Sequence, residues 1–169
     1  MRDESEKPAN EIGTLYHLIM SKIDFEKVQT DGVDAQLRHL INERIITEDD
    51  MVYIDPDKIK SFFDSPLAKR MMRSRNIYRE TPFQINIPAL MYDHTLTDVK
   101  DSDTVILQGI IDCFFEEEDG FVLFDYKTDK VKGNPQEIKD RYQKQLDLYA
   151  KAITELKGKP VKESYLYLF

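Results

Sequence analysis

A chain of 169 residues with 41% hydrophobic and 33% charged side chains has material for one ordinary domain around a single core. Nine Phe and nine Tyr argue against a disordered chain, and no apolar run approaches the roughly 18 residues of a membrane helix. One cysteine, Cys113, excludes an internal disulfide, a four-cysteine zinc site and an all-cysteine iron–sulfur cluster, and fits a reducing cytoplasm.

A net charge of −8 argues against a free-standing nucleic-acid binder, which usually carries a basic stripe. The charges are nevertheless segregated. Lys69, Arg70, Arg73, Arg75 and Arg79 form a basic stretch without an acid, whereas acids gather in 93–103 and in Glu116, Glu117, Glu118 and Asp119. Solvated surface explains both clusters unless a phosphate-handling site lies close by.

The first ten residues, MRDESEKPAN, are polar and charged and read as a disordered leader or linker remnant with no apolar stretch for a secretory signal. Ile12, Leu15, Leu18, Ile19 and Ile23 recur at helical spacing, predicting a first helix from Glu11 to about Val28. Short helical pieces follow at Leu37 to Arg44, after Asp55-Pro56 and after Ser65-Pro66, with a capped turn around Thr47, Asp49 and Asp50. The period then changes to that of strands. Ile77 to Ile87 predicts a strand that Pro82 confines to an edge or a bulge. After an acidic loop, Thr104 to Glu116 and Phe121 to Lys127 predict a hairpin across Asp119-Gly120. Lys132-Gly133-Asn134-Pro135 breaks the chain before a long helix from about Gln136 to Leu156, which Gly158-Lys159-Pro160 ends. Glu163 to Phe169 is a last strand, and its abrupt apolar end suggests a piece cut from a longer chain. This order predicts an α/β (α+β) domain over 11–169 with a mixed central sheet flanked by helices.

Two carboxylates stand inside apolar strands: Asp112 in Gly109-Ile110-Ile111-Asp112, and Asp125 in Phe124-Asp125-Tyr126-Lys127. A buried carboxylate costs several kcal/mol unless a cation or donors stand close by. Strand alternation puts Asp125 and Lys127 on one face, and Asp112 can join them from the neighbouring strand. Such a set can hold a hard divalent cation such as Mg2+, with Lys127 steadying an attacking water or an oxyanion. An Asp–Lys pair satisfied at a sheet edge is the competing reading.

The chain resembles the RecB-like nuclease domains of the PD-(D/E)XK superfamily, most closely those at the C-terminus of AddA/RexA-type helicase–nuclease subunits. The resemblance rests on Gly13-Thr14-Leu15-Tyr16-His17, on Tyr78-Arg79-Glu80-Thr81-Pro82-Phe83, and on Gly109 to Asp112. It continues through Asp125 to Asp129, Tyr142 to Ala150 and Tyr165 to Phe169. It implies a restriction-endonuclease-like αβββαβ core. It further implies metal ligation by His17, Asp112, Asp125 and the Tyr126 backbone carbonyl, with Asp112, Asp125 and Lys127 as the catalytic set. Glu80 matches a recurrent acid that could equally be paired at a strand edge. Gln145 and Tyr149, four apart on one helix face, match residues that line the site and touch DNA, although Tyr149 could instead be core.

By the same resemblance, the cofactor is Mg2+, with Mn2+ able to substitute. No nucleotide is expected, because the chain lacks the phosphate-binding loop of a motor. The partners implied are single-stranded DNA, the 3′-terminated strand fed by the helicase part of a parent chain, and a second nuclease subunit of the AddB type. Arg70, Arg73 and Arg75 then become candidate contacts to the incoming strand. The setting implied is double-strand-break repair and homologous recombination in a bacterial cytoplasm, at the nucleoid. A RecB-like nuclease detached from a helicase and an inactive nuclease fold used as a scaffold are the alternatives.

Overall fold

A computed structural model describes residues 7–128 and 134–169. Helix α1 spans Ala9–Lys22, so Ala9 and Asn10 belong to it rather than to a leader. The rest of that leader (residues 1–6) lies outside the described residues, as do Asp129, Lys132 and Gly133 of the motif and breaker noted above. The single helix expected to Val28 is in fact two, with α2 at Phe25–Asp31. The division falls at Asp24, whose carboxylate accepts the backbone N–H groups of Glu26 and Lys27 and thereby starts a new helix. Then come α3 (Val33–Asn42), a 3-10 turn (Asp49–Tyr53), α4 (Pro56–Asp64) and α5 (Pro66–Met71). Asp55 and Ser65 cap α4 and α5, each with Pro in the first turn.

Strand β1 (Ile77–Pro88) is followed by a four-residue helix, α6 (Ala89–Tyr92), too short to show a period in the sequence. Next come β2 (Thr104–Glu117), β3 (Gly120–Lys127), α7 (Pro135–Lys157) and β4 (Val161–Leu168). The sheet runs β1-β2-β3-β4, antiparallel across the first two steps and parallel between β3 and β4. A parallel step needs a crossover, which α7 supplies before Gly158 ends it at φ 69. Pro82 is accommodated because β1 is an edge strand.

The sheet is a middle layer. Val122, Phe124 and Tyr126 of β3 pack with the α1–α5 helices, whereas Phe121 and Leu123 pack with Leu146, Ala152 and Ile153 of α7. Alternation along β3 therefore sends Asp125 and Lys127 to the α7 side. On β1 and β2 the alternation breaks. Cys113 and Phe115 face the α1–α5 layer, yet Ile111 packs on the α7 side with Phe114. On β1, Tyr78 and Phe83, an odd number of residues apart, both pack on the α7 side. Both switches fall at one place, between the pairs Arg79↔Cys113 and Thr81↔Ile111, where Glu80 adopts a left-handed φ of 46. A coordinated kink in two strands keeps the register while re-aiming the residues within it, Glu80 and Asp112.

Candidate active site

The pairing of β2 with β3 begins at Cys113↔Phe124, so Asp112 and Asp125 stand at the mouth where the two strands part. Both are buried, at 8% and 2% exposure. Oδ2 of Asp112 accepts the Tyr126 backbone N–H at 2.9 Å, and its Oδ1 lies 3.2 Å from Nδ1 of His17. Lys127 Nζ lies 2.5 Å from Asp125 Oδ2. The ammonium therefore stands against a carboxylate that is otherwise buried.

His17 reaches this point because α1 lies close to the end of β3. A Cβ on Gly13 would stand 2.8 Å from Thr128 Oγ1, so the glycine permits the approach. Arg79 fixes the other end of the helix. Its Nη1 donates to the carbonyls of Ile23 at 2.7 Å and Met20 at 3.3 Å, and its guanidinium lies 4.3 Å from the Phe25 ring centroid. A cation at a helix C-terminus also complements the helix dipole. Arg79 is therefore a staple between α1 and β1 rather than a free member of the basic stretch. The sequence signal for this was its place beside Glu80.

Ligand atoms of His17, Glu80 and Asp112 all lie within 4.8 Å of one another. Glu80 thus joins the two expected ligands. Asp125, on the next strand, lies near enough to feel the Asp112 charge. Burial pushes Asp112 up, but the His17 hydrogen bond and charge, helped by the Tyr126 N–H, hold it below the usual carboxylate range. Burial and then repulsion from Asp112 push Asp125 up to about 6 against the pull of Lys127. The Asp112 hydrogen bond raises His17 against the opposing effect of burial, and burial with Asp112 repulsion raises Glu80. Carboxylates crowded beside an imidazole form a group that could hold a divalent cation.

The left-handed backbone at Glu80 costs on the order of 1–3 kcal/mol for a residue with a side chain. Glu80→Gly should therefore melt at or above the wild-type temperature. It should also show a smaller rise in melting temperature with Mn2+, because one of the three candidate ligand atoms is gone. Thermal scans with and without Mn2+ test both halves.

On the α7 side, Gln145 Nε2 donates to the Tyr149 hydroxyl at 2.8 Å, and the Tyr149 ring meets the edge of Phe83 at 5.5 Å. Burial raises the Tyr149 hydroxyl pKa, and the charges of Asp125 and Asp112 add to that rise, which places it within electrostatic reach of the carboxylates. Tyr126 takes its place in the β3–β4 ladder opposite Tyr167.

The basic stretch is not brought to this group. Arg70 donates to both carboxylate oxygens of Glu117 and both of Glu163, at 2.7 to 3.0 Å, joining α5 to the ends of β2 and β4. Its donors face protein carboxylates, while about a third of the side chain stays exposed. Arg73 and Arg75 are exposed beside the same turn, lining a cleft with Glu116, Glu117 and Glu118. A broader groove among α2, α3, α4 and α5, floored by Val28, Phe63 and Met72, also contains none of the carboxylate group.

Arg70 holds Glu117 and Glu163 each down at about 2. An unfolded chain would protonate them near 4.5, so their contribution is complete above that pH and lost as pH falls toward 2. Arg70→Ala should remove about 1–2 kcal/mol at pH 7, since these groups are partly exposed, and flatten the acid limb of stability. Urea unfolding at pH 7 and pH 3 measures both effects.

A helix that brings a histidine to two strand carboxylates and a strand lysine, on an αβββαβ frame, defines a nuclease core. The chain belongs to the PD-(D/E)XK nuclease superfamily, whose family model matches residues 1–168. It is 43% identical over 163 residues to the A-type subunit of the ATP-dependent helicase/nuclease of Thermoanaerobacter sp. (strain X514), covering 95% of the chain and 13% of that relative. It is 43% identical over 171 residues to the protein of the same name from Clostridium botulinum (strain Loch Maree / Type A3), covering 100% of the chain and 13% of that relative. With the protein of that name from Clostridium novyi (strain NT) it shares 38% over 172 residues, covering 100% of the chain and 14% of that relative. The chain is thus a nuclease-superfamily domain homologous to these A-type helicase/nuclease subunits and spans 13–14% of their length. Among the described residues, no helix is long and apolar enough to cross a membrane.

Proposed function

We propose that residues 11–169 are a Mg2+-dependent, exonuclease-type DNA nuclease domain of an AddA-type helicase–nuclease subunit. The observation that carries this reading is the convergence of His17, Glu80 and Asp112 within 4.8 Å, beside the Asp125–Lys127 pair.

The residues present fit a divalent cation. Two carboxylates and an imidazole bring ligand atoms within 4.8 Å of one another, and the Asp125–Lys127 pair stands beside them. His17, Glu80, Asp112 and Asp125 would hold the ion, with the Tyr126 carbonyl as a further oxygen ligand. A bound Mg2+ supplies an acidified water and neutralises charge on the scissile phosphate. The chain's own groups do the rest. The Tyr126 N–H and His17 hold the Asp112 carboxylate in one orientation. Lys127, beside Asp125, presents an ammonium that holds the attacking water or stabilises the oxyanion. Gln145 and Tyr149 stand along α7 to contact the strand.

The net charge of −8 supports delivery of substrate by a helicase in the same polypeptide, because a tethered motor replaces capture by a basic surface. On this reading the domain trims single-stranded DNA during double-strand-break repair and homologous recombination. It works beside an AddB-type partner in the bacterial cytoplasm, at the nucleoid.

The test is a gel assay of end-labelled single-stranded DNA incubated with this chain. Shortening with Mg2+ or Mn2+, abolished by EDTA, is the expected result, with DNA binding weak and weaker still as salt rises. Absence of cutting with either ion at DNA concentrations that saturate the chain would remove the nuclease reading. Submicromolar duplex binding that ignores salt would remove the argument for delivery.

A further inference from the structure

Lys127 is the last residue of β3, and its backbone carbonyl is anchored by the Phe169 N–H at 2.9 Å. The anchor fixes the Cα but not the ammonium, which sits at the end of four methylenes with considerable rotamer freedom. Among the described residues, two groups confine the ammonium. One is Asp125, with Oδ2 at 2.5 Å. The other is an aromatic face from the opposite layer: the Tyr142 ring of α7, with its centroid 4.8 Å from Nζ.

The two restraints are not equivalent. On the reading given under Proposed function, Asp125 is also a metal ligand, so its charge is shared between two cations and it restrains Lys127 least when the site is loaded. An aromatic face attracts an ammonium through its quadrupole and does not compete for a carboxylate oxygen. It leaves the three N–H donors free to point at water or phosphate. The face is also well carried. Tyr142, Gln145 and Tyr149 fall at i, i+3 and i+7, one side of α7. Tyr149 is braced by Gln145 and Phe83, so the helix face that offers Tyr142 is itself held against the sheet.

We propose that Tyr142 is a positioning residue for the reaction: its ring face holds the Lys127 ammonium in its working place while Asp125 is engaged elsewhere. This proposal rests on Lys127 being catalytic.

The test uses this chain with labelled single-stranded DNA and Mg2+, comparing wild type with Tyr142→Leu, Tyr142→Phe and Lys127→Ala. Tyr142→Leu should lower kcat roughly 3- to 30-fold, the range of a partly desolvated cation–π contact, with KM and the Mn2+-induced melting shift unchanged. Tyr142→Phe should recover most of that loss, because the ring and not the hydroxyl makes the contact. NMR gives a reading independent of activity. The ε-methylene protons of Lys127 should show an upfield ring-current shift in wild type and Tyr142→Phe that disappears in Tyr142→Leu. An unchanged kcat or an unchanged Lys127 resonance in Tyr142→Leu would overturn the proposal, as would a Phe variant as slow as the Leu variant. If Lys127→Ala is dead while Tyr142→Leu cuts normally, only the role of Tyr142 fails. If Lys127→Ala itself cuts at the wild-type rate, the catalytic reading fails and takes this proposal with it.

Discussion

Asp125→Asn should raise the melting temperature of the metal-free chain above pH 6 and abolish the further rise that Mn2+ produces in the wild type. The first effect follows from the direction of the Asp125 shift. Its pKa goes from an ordinary 3.8 to about 6, because burial and the Asp112 charge disfavour its ionised form. An unfolded chain loses that proton near pH 4, whereas the native chain keeps it until about 6. The native state is therefore penalised as pH rises through this window, by about 1–3 kcal/mol once Asp125 is fully ionised. Asparagine never ionises and escapes the penalty, which is worth several degrees for a domain of this size. The second effect follows because the same substitution deletes the charge of a proposed metal ligand, and an ion that binds only the native state stabilises it by mass action. The wild-type Mn2+ shift should itself shrink as pH drops from 7.5 to 5.5, since binding must displace protons from Asp125 and from His17, whose pKa is also raised. Differential scanning fluorimetry across pH, with and without Mn2+, measures all three. An Asp125→Asn protein that still gains the full Mn2+ shift would show that the ion is held elsewhere.

Lys127→Ala should lose on the order of 10²–10³ in cutting rate while keeping the fold and the Mn2+ shift. The side chain touches Asp125 and the Tyr142 ring and is mostly buried, yet it makes no backbone contact that holds the sheet together. Lys127→Arg should restore little, because a planar fork cannot take the place of a compact ammonium at a water-sized target. Single-turnover cleavage of labelled single-stranded DNA, read beside the melting shift, separates this loss from that of Asp125→Asn. Only the aspartate variant should lose both signals. Wild-type cutting by Lys127→Ala would make the lysine a structural partner of Asp125.

Much of this was legible along the chain because the relevant signals are local. Asp-Pro and Ser-Pro announced α4 and α5, Asn-Pro and a terminal Gly bounded α7, and alternation placed Asp125 and Lys127 on one face. The resemblance to RecB-like nuclease domains named Asp112, Asp125, Lys127 and His17 as one set, and the structure brings these four together. Two readings erred for the same reason. The long first helix hid a cap at Asp24, since Asp is also an ordinary exposed helix residue until its carboxylate turns back onto N–H groups. The basic stretch looked like one surface, yet Arg79 caps α1 and Arg70 clasps two glutamates 47 and 93 residues away.

The sequence by itself determined most of the elements, their order and the residue types that meet at the site, because capping, turn chemistry and strand alternation act over a few residues. Only the tertiary structure decided that Glu80 stands with His17 and Asp112. That depends on a kink shared by two strands and on a left-handed residue, and neither leaves a periodic trace. Tertiary packing also decided which arginines remain exposed and which aromatic ring meets Lys127. Those choices are made by charges and faces that become neighbours only once α5, α7 and the sheet have packed.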